Sequence, residues 1–193
     1  WAADRPNILF ILSDDQRWDA LSCTGNPNVK TPNLDRLAAS GTRFSNAFVA
    51  LSICSPSRAA CLTGHYGSRN GVTDLGRPLA KGETTFAAVL AEAGYRTGHT
   101  GKWHLGQKPQ QVGFHFSNYF VSNGPYYNRT AIVDGQQTKI PGFIDDWVAG
   151  QSIDFIRRTA LPEKSDEAKP FCLWMCTQVP HMNHLMDWNA TPE

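Results

Sequence analysis

The chain of 193 residues has almost no charge of one sign to spare, since 18 Lys and Arg face 17 Asp and Glu for a formal net charge of +1. That balance excludes the basic excess a polyanion-binding surface requires, so nucleic acid is not an expected partner. Long apolar runs are missing too. Stretches such as Ile8 to Leu12 fall far short of the roughly 18 residues needed to span a bilayer, and no membrane segment is expected. There is no internal repeat and no low-complexity tract. The first residue is Trp1, with no Met and no charged or apolar leader, which is the expectation for a mature or trimmed chain. Five cysteines (Cys23, Cys54, Cys61, Cys172, Cys176) follow neither the C-x-x-C pairs of zinc modules nor the density of a disulfide scaffold, and their odd number leaves a thiol unpaired. Charged residues reach only 18%, below the roughly 25% of an average globular chain. Hydrophobic residues at 41% and aromatics at 11% suffice for the core of one domain, and general disorder is excluded.

What the chain does contain is an alternation of strand and helix signals. Asn7-Ile8-Leu9-Phe10-Ile11-Leu12, between Pro6 and Ser13-Asp14-Asp15, has the pattern of a strand buried on both faces in a parallel sheet. Thr31 as N-cap and Pro32 in the first turn open a helix with an apolar stripe of Leu34, Leu37 and Ala38, stopped by Gly41. Arg43 to Val49, aromatic and polar by turns, reads as a second strand. Pro56 suits the first turn of another helix, closed by Gly64, which puts Cys54 at a helix amino terminus. Phe86, Val89, Leu90 and Ala93 stand at helical spacing before Gly94, and Tyr95 to Thr100 reads as a returning strand. Gly101 to Gly106 is expected to be a loop, and the stretch to about Gly142, rich in Gly, Pro, Asn and aromatics, to be irregular. Ile144 to Arg158 returns to helical spacing, and Pro170 to Cys176 is an apolar strand that leads to Pro180-His181. The alternation predicts an α/β fold with a mainly parallel central sheet flanked by helices, whose ligands bind beyond the carboxyl ends of the strands.

On that reading Asp14-Asp15, Cys54 with Arg58, Lys102 with His104, and His181 follow strands and gather at one sheet edge. Adjacent aspartates are costly unless a cation or hydrogen bonds compensate them. A hard divalent ion such as Ca²⁺ is the simplest compensation, and a capped Asx turn is the ordinary alternative. At a helix amino terminus near Arg58, Cys54 has its thiolate favoured, as a nucleophile would; a small buried side chain is the bland reading. A soft thiolate is a poor companion for two carboxylates around Ca²⁺, whereas an oxygen-bearing group at position 54 would suit. His65, His99, His115 and His184 read as surface or hydrogen-bonded core residues. Cys172 and Cys176, four apart in a strand, face one side about 13 Å apart, too far for a disulfide. Asn128-Arg129-Thr130 and Asn189-Ala190-Thr191 match the short glycosylation sequon.

Cys54-Ser55-Pro56-Ser57-Arg58, followed by Leu62-Thr63-Gly64, resembles the signature of the sulfatases of the alkaline-phosphatase-like superfamily, in which the cysteine is oxidised to formylglycine. Asn7 to Asp15 resembles the family's first strand and paired metal-binding aspartates, and Thr31-Pro32-Asn33-Leu34-Asp35 its first helix. Gly101-Lys102-Trp103-His104-Leu105-Gly106 resembles its sulfate-contacting loop and Pro180-His181 its later histidine motif. Two departures accompany the match. Cys61 replaces a larger side chain, and Met182-Asn183-His184 follows His181 where the family has a proline two positions on. The family's later Asp-Asn metal ligands and a further lysine are not in the chain, so residues 1–193 are expected to be the N-terminal part of a sulfatase catalytic domain.

The resemblance implies hydrolysis of sulfate esters. Hydrated formylglycine at position 54 would attack sulfur with one hydroxyl and expel sulfate with the other. Asp14, Asp15 and residue 54 would hold Ca²⁺, with Mg²⁺ as the variant, and Lys102 and His104 would hold the sulfate and leaving-group oxygens. His181 or Lys102 would give the leaving alkoxide its proton, and Arg58 would steady the nucleophile. Implied partners are a sulfated small molecule or, from Gly124-Pro125-Tyr126-Tyr127-Asn128, a sulfated glycan, and a formylglycine-generating enzyme during maturation. The implied location is periplasmic or extracellular. Phosphonate or phosphate diester hydrolysis on the same scaffold, and a catalytically incomplete chain that only binds sulfated ligands, are the alternatives.

Overall fold

A computed structural model describes residues 5–161 and 169–182; His184 and the Asn189 sequon lie outside them. Six strands, β1 (Ile8–Leu12), β2 (Arg96–Lys102), β3 (Phe116–Phe120), β4 (Thr130–Val133), β5 (Gln136–Lys139) and β6 (Phe171–Cys176), form one sheet in the order β1-β6-β2-β3-β4-β5. The first four in that order are mutually parallel, and β4 and β5 extend them as an antiparallel hairpin. The sheet is therefore mixed, with a parallel half that the βα alternation foretold. Helices α1 (Pro32–Ser40), α2 (Cys54–Thr63), α3 (Gly67–Asn70), α4 (Phe86–Glu92) and α5 (Ile144–Ala160) complete the architecture. None of the described helices is long and apolar enough to cross a membrane.

Period-two alternation in the strands sorts the core into two layers. Phe10 and Trp174 join Trp103, Phe114 and Tyr119 beneath Ala59 and Leu62 of α2 and Phe86 and Ala87 of α4. On the other face α5 lays Ile144 and Val148 against Phe120 and Met175, and Phe155 against Phe171 and Leu173. This second layer requires a glycine in β2. A Cβ on Gly98 would meet the Phe155 ring at 2.7 Å, so the ring packs directly on the strand backbone.

Several expectations need correction. Among the described residues β1 is an edge strand, half-buried on one side and exposed on the other, with Leu9 48% and Ile11 51% exposed. Helix α1 starts at Pro32 as read, but Thr31 makes no side-chain cap to it, and none of its residues is buried; Leu34 and Leu37 face outward. Residues 43–49 form turns and irregular chain rather than a strand, because Ser45-Asn46 turns the backbone and no described neighbour offers a ladder. Gly101 and Lys102 are the last two residues of β2, not loop. The stretch assigned as irregular holds β3, β4 and β5, with β4 and β5 joined by Asp134-Gly135, both at positive φ, the chemistry of a two-residue hairpin turn. All five cysteines are free, with Cys172 and Cys176 buried.

The register then fixes where chemistry collects. Leu12 pairs with Cys176, Cys176 with Gly101, and Lys102 with Phe120. Four parallel strands thus end together, and the residues that follow them, 13–15, 177–181, 103–104 and 121–123, share one edge of the sheet.

Candidate active site at the carboxyl edge of the sheet

Asp14 is buried just past β1, its backbone N–H donating to the Val179 carbonyl at 3.1 Å. Its carboxylate meets two cations. The Lys102 ammonium donates to Oδ2, and Arg58 Nη2 lies 3.6 Å from Oδ1. Cys54, the first residue of α2, places Sγ 3.8 Å from the same Oδ1 and 3.2 Å from Lys102 Nζ. Arg58, one turn along α2, donates to the Lys102 carbonyl at 2.8 Å. Lys102 and Arg58 are both essentially inaccessible to solvent. Burying two cations with one carboxylate leaves an excess positive charge in low dielectric, a cost that an anion beside Cys54 would relieve.

The turn after β2 is held in an unusual conformation. His104 sits at φ 58°, a left-handed geometry that costs a non-glycine residue roughly 1–2 kcal/mol. It is maintained by its N–H donating to the Val121 carbonyl at 2.7 Å and by Ser55, whose hydroxyl donates to the His104 carbonyl and accepts from Gly76 N–H at 2.9 Å. Ser55 thereby ties the start of α2 to the end of β2. Desolvation first, then the Lys102 and Arg58 charges, push the His104 imidazole down to about 4, so it is neutral at pH 7. Gly101 is equally constrained, since at φ +90° a Cβ would stand 1.8 Å from the Cys176 carbonyl oxygen.

His181 closes the group from the segment after β6. Its Nε2 lies 3.3 Å from Asp15 Oδ2, and Asp15 itself is at φ 60° and largely exposed. Donor atoms of Asp14, Cys54 and His181 lie within 4.8 Å of one another. As it stands, one carboxylate with a thiol and an imidazole is a soft donor set that does not suit Ca²⁺. With an oxygen-bearing side chain at position 54, and the carboxylates of Asp14 and Asp15, the donors become hard and fit it. The structure therefore brings together all seven expected residues, Asp14, Asp15, Cys54, Arg58, Lys102, His104 and His181.

Sequence reasoning missed the residues that hold the others. The Asp145 carboxylate accepts from Gln178 N–H at 2.8 Å and Val179 N–H at 2.9 Å, pinning the segment that carries His181; burial raises its pKa against those two bonds. Arg129 stacks 4.0 Å over the Phe120 ring and donates to Gln178 and to the Ser122 carbonyl, and desolvation lowers it to about 10. Asn123 and Tyr126 contact His181 directly. Recognition of β3 was the signal that would have placed them at this edge. His99, expected to be a surface or hydrogen-bonded core residue, is fully buried, with neither ring nitrogen in a well-formed hydrogen bond. His65 pairs with Glu83 at 2.8 Å, and His115 shares a hydrogen bond with Thr97. A cavity of about 750 Å³ opens at the opposite edge, between Arg96, Phe116 and Arg158; it holds none of the seven residues.

The sequence profile of the sulfatase family matches residues 6–191. The chain belongs to the sulfatase family. It is 37% identical over 191 residues to an N-acetylglucosamine-6-O-sulfatase of Bacteroides thetaiotaomicron, covering 97% of this chain and 32% of that protein. Against human arylsulfatase A it is 46% identical over 142 residues, covering 65% of this chain and 28% of the relative. The chain thus spans about a third of the length of the curated sulfatases it matches. A solved protein in complex with its substrate D-glucosamine-2-N,6-O-disulfate superposes with a TM-score of 0.81 at 35% identity, over 93% of this chain and 35% of the other. The fold is that of the alkaline-phosphatase-like sulfatases, represented here in part.

Proposed function

We propose that residues 1–193 form the N-terminal part of a sulfuric ester hydrolase, with Cys54, oxidised to formylglycine, as its nucleophile. The observation that carries this reading is the placement of Lys102 Nζ, 3.2 Å from Cys54 Sγ, in a buried pocket where two cations face one carboxylate. A sulfate monoester is an anion whose reacting atom must sit beside residue 54, and this pocket supplies fixed charge for it without reorganisation.

Hydrated, the aldehyde at position 54 presents two hydroxyls. One attacks sulfur and displaces the alcohol; the other then expels sulfate and restores the aldehyde. Lys102 holds the nucleophile's oxygen and a sulfate oxygen. His104, neutral at pH 7, holds the leaving-group side as a hydrogen-bonding group rather than a charge. His181 stands opposite and passes a proton to the departing oxygen. Arg58 keeps Asp14 and the end of β2 in register with α2. Asp14, Asp15 and the modified residue 54 would hold Ca²⁺, which supplies Lewis-acid charge to the sulfate oxygens and the nucleophile.

A sulfated carbohydrate is the substrate class favoured by the relatives, one named for N-acetylglucosamine 6-sulfate and one solved with a disulfated glucosamine. The test is a peptide mass spectrum with activity. The peptide holding Cys54 is expected about 18 Da below the unmodified mass as the aldehyde, with release of sulfate from N-acetylglucosamine 6-sulfate that Cys54→Ala abolishes. Active protein with an unmodified thiol refutes the nucleophile, and faster turnover of an aryl phosphonate ester than of sulfate esters refutes the reaction class.

A further inference from the structure

Helix α2 carries a second buried polar side chain beside Cys54. Ser55, inaccessible to solvent, donates its hydroxyl proton to the His104 carbonyl and accepts from Gly76 N–H at 2.9 Å. A hydroxyl has one proton and a carbonyl oxygen only accepts, so both directions are settled. His104 is thereby held at both of its backbone groups, its N–H by the Val121 carbonyl at 2.7 Å on the β3 side and its C=O by α2. Its φ of 58° is one that a histidine keeps only where the surroundings enforce it. The ring does little to anchor itself, since Nδ1 is buried with no hydrogen-bond partner among the described residues.

The segment on the other side of Ser55 is as closely fitted. Gly106 N–H donates to the Arg77 carbonyl at 3.2 Å, and a Cβ on Gly106 would meet Pro78 N at 2.7 Å and the Gly76 carbonyl oxygen at 2.9 Å. Gln107 accepts from Leu79 N–H at 2.8 Å and donates to the Leu79 carbonyl at 3.0 Å. Residues 76–79 therefore lie flush against the turn that carries His104, and Ser55 joins both to α2. The joint stands one residue from Cys54, so one turn of helix sets where residue 54 stands and where His104 is held.

We propose that Ser55 is a positioning residue for His104: its hydroxyl ties the left-handed turn after β2 to the first turn of α2 and thereby fixes the separation between residue 54 and the His104 imidazole. Without that hydroxyl the His104 carbonyl and the Gly76 N–H lose their shared partner, and the turn relaxes towards an ordinary φ that carries the imidazole away from the leaving-group side. This catalytic consequence rests on the sulfate-ester reading; the tether does not.

Ser55→Ala removes a single oxygen and is expected to fold. Turnover is taken per aldehyde at residue 54, counted by peptide mass in every variant, which separates an effect on maturation from one on catalysis. Ser55→Ala is expected to lower kcat on N-acetylglucosamine 6-sulfate about 10- to 10²-fold, with KM changed less than about threefold. In a His104→Ala background the same substitution is expected to lower kcat less than about twofold, because the group it positions is gone. An equal loss in both backgrounds is what a merely structural serine gives and overturns the proposal, as does an undiminished kcat in the single variant. The tether is read separately from the His104 carbonyl ¹³C resonance of histidine-labelled protein, identified by its loss in His104→Gln. Ser55→Ala is expected to displace that resonance, and an unmoved one overturns the proposal without any assay of activity. A displaced resonance in protein that releases no sulfate upholds the tether and refutes the proposed reaction.

Discussion

Replacing His99 by methionine exchanges a buried imidazole for an apolar side chain of similar size. The ring lies in β2 three residues before Lys102, fully buried among Trp103, Trp174, Phe114 and Tyr119, with centroids 4.9, 5.5, 5.6 and 6.4 Å away. Neither ring nitrogen completes a well-formed hydrogen bond, the Lys102 backbone being the one polar group that acts on the ring, and leaving a buried polar group poorly satisfied costs about 1–3 kcal/mol. Methionine, flexible and at home against aromatic rings, is therefore expected to stabilise the fold by about that amount at pH 7. The larger signal is in acid. Burial first, then the Arg58 charge, push the imidazole from its ordinary 6.5 down to about 3, against the opposing pull of the Lys102 backbone. Between those values the unfolded chain binds a proton that the folded chain refuses, so native stability falls as the pH drops from 6.5 towards 3. The whole window is worth about 5 kcal/mol at 1.36 kcal/mol for each pH unit, and the part above pH 4 about 3 kcal/mol. Urea unfolding of both proteins at pH 7 and pH 4 isolates it, because every other titrating group is common to the pair. The advantage of His99→Met should grow by about 3 kcal/mol at pH 4. A gap that stays constant between the two pH values, or a variant less stable than its parent in acid, refutes the account of this ring.

Gly101→Ala forces a Cβ to within 1.8 Å of the Cys176 carbonyl and should cost more than about 4 kcal/mol, seen as insoluble protein or a collapsed urea midpoint; near-native stability would mean that β2 and β6 do not approach as described. Lys102→Met should leave the chain folded while lowering sulfate-ester turnover about 10²–10³-fold in kcat, and unchanged kcat would remove Lys102 from the chemistry. Asp145→Asn keeps the volume but sets an NH₂ against one of two backbone N–H donors; a loss of about 2–3 kcal/mol in urea unfolding is expected, together with displaced His181 resonances, and a silent substitution would show that the segment is pinned by something else.

Much of the parallel half was legible because each element satisfied a local rule and its neighbours agreed. The Ile8–Leu12 run, Pro32 in the first turn of α1, Gly64 closing α2 and the Phe86, Val89, Leu90 spacing of α4 are signals carried within a few residues. The convergence of Asp14, Lys102 and His181 followed from one topological rule, that parallel strands end at a common edge. What escaped was set by distance along the chain. β3 carries Ser117 and Asn118 between aromatics and takes its stability from pairing with β2, not from propensity. The Asp134-Gly135 turn was a readable hairpin signal, passed over because its flanking strands are short and polar on one side. Once β3 was lost, Asn123 and Tyr126 had no address, and Asp145 looked like an ordinary first-turn acid on α5. Conversely, the alternation over 43–49 finds no strand beside it among the described residues, and the two-sided burial expected of β1 assumed the central place that β6 and β2 hold in the described sheet.

That β6 follows β1 and β2 in the chain, yet lies between them in the sheet, has a kinetic meaning. The edge that gathers Asp14, Lys102 and His181 cannot assemble until Cys176 and the residues just after it have been synthesised, about 120 positions after Cys54. At about 5–20 residues per second on a ribosome, the thiol spends several seconds to half a minute outside any finished pocket. On the proposed reading of Cys54, that interval is when an enzyme modifying the thiol would meet it outside the assembled edge.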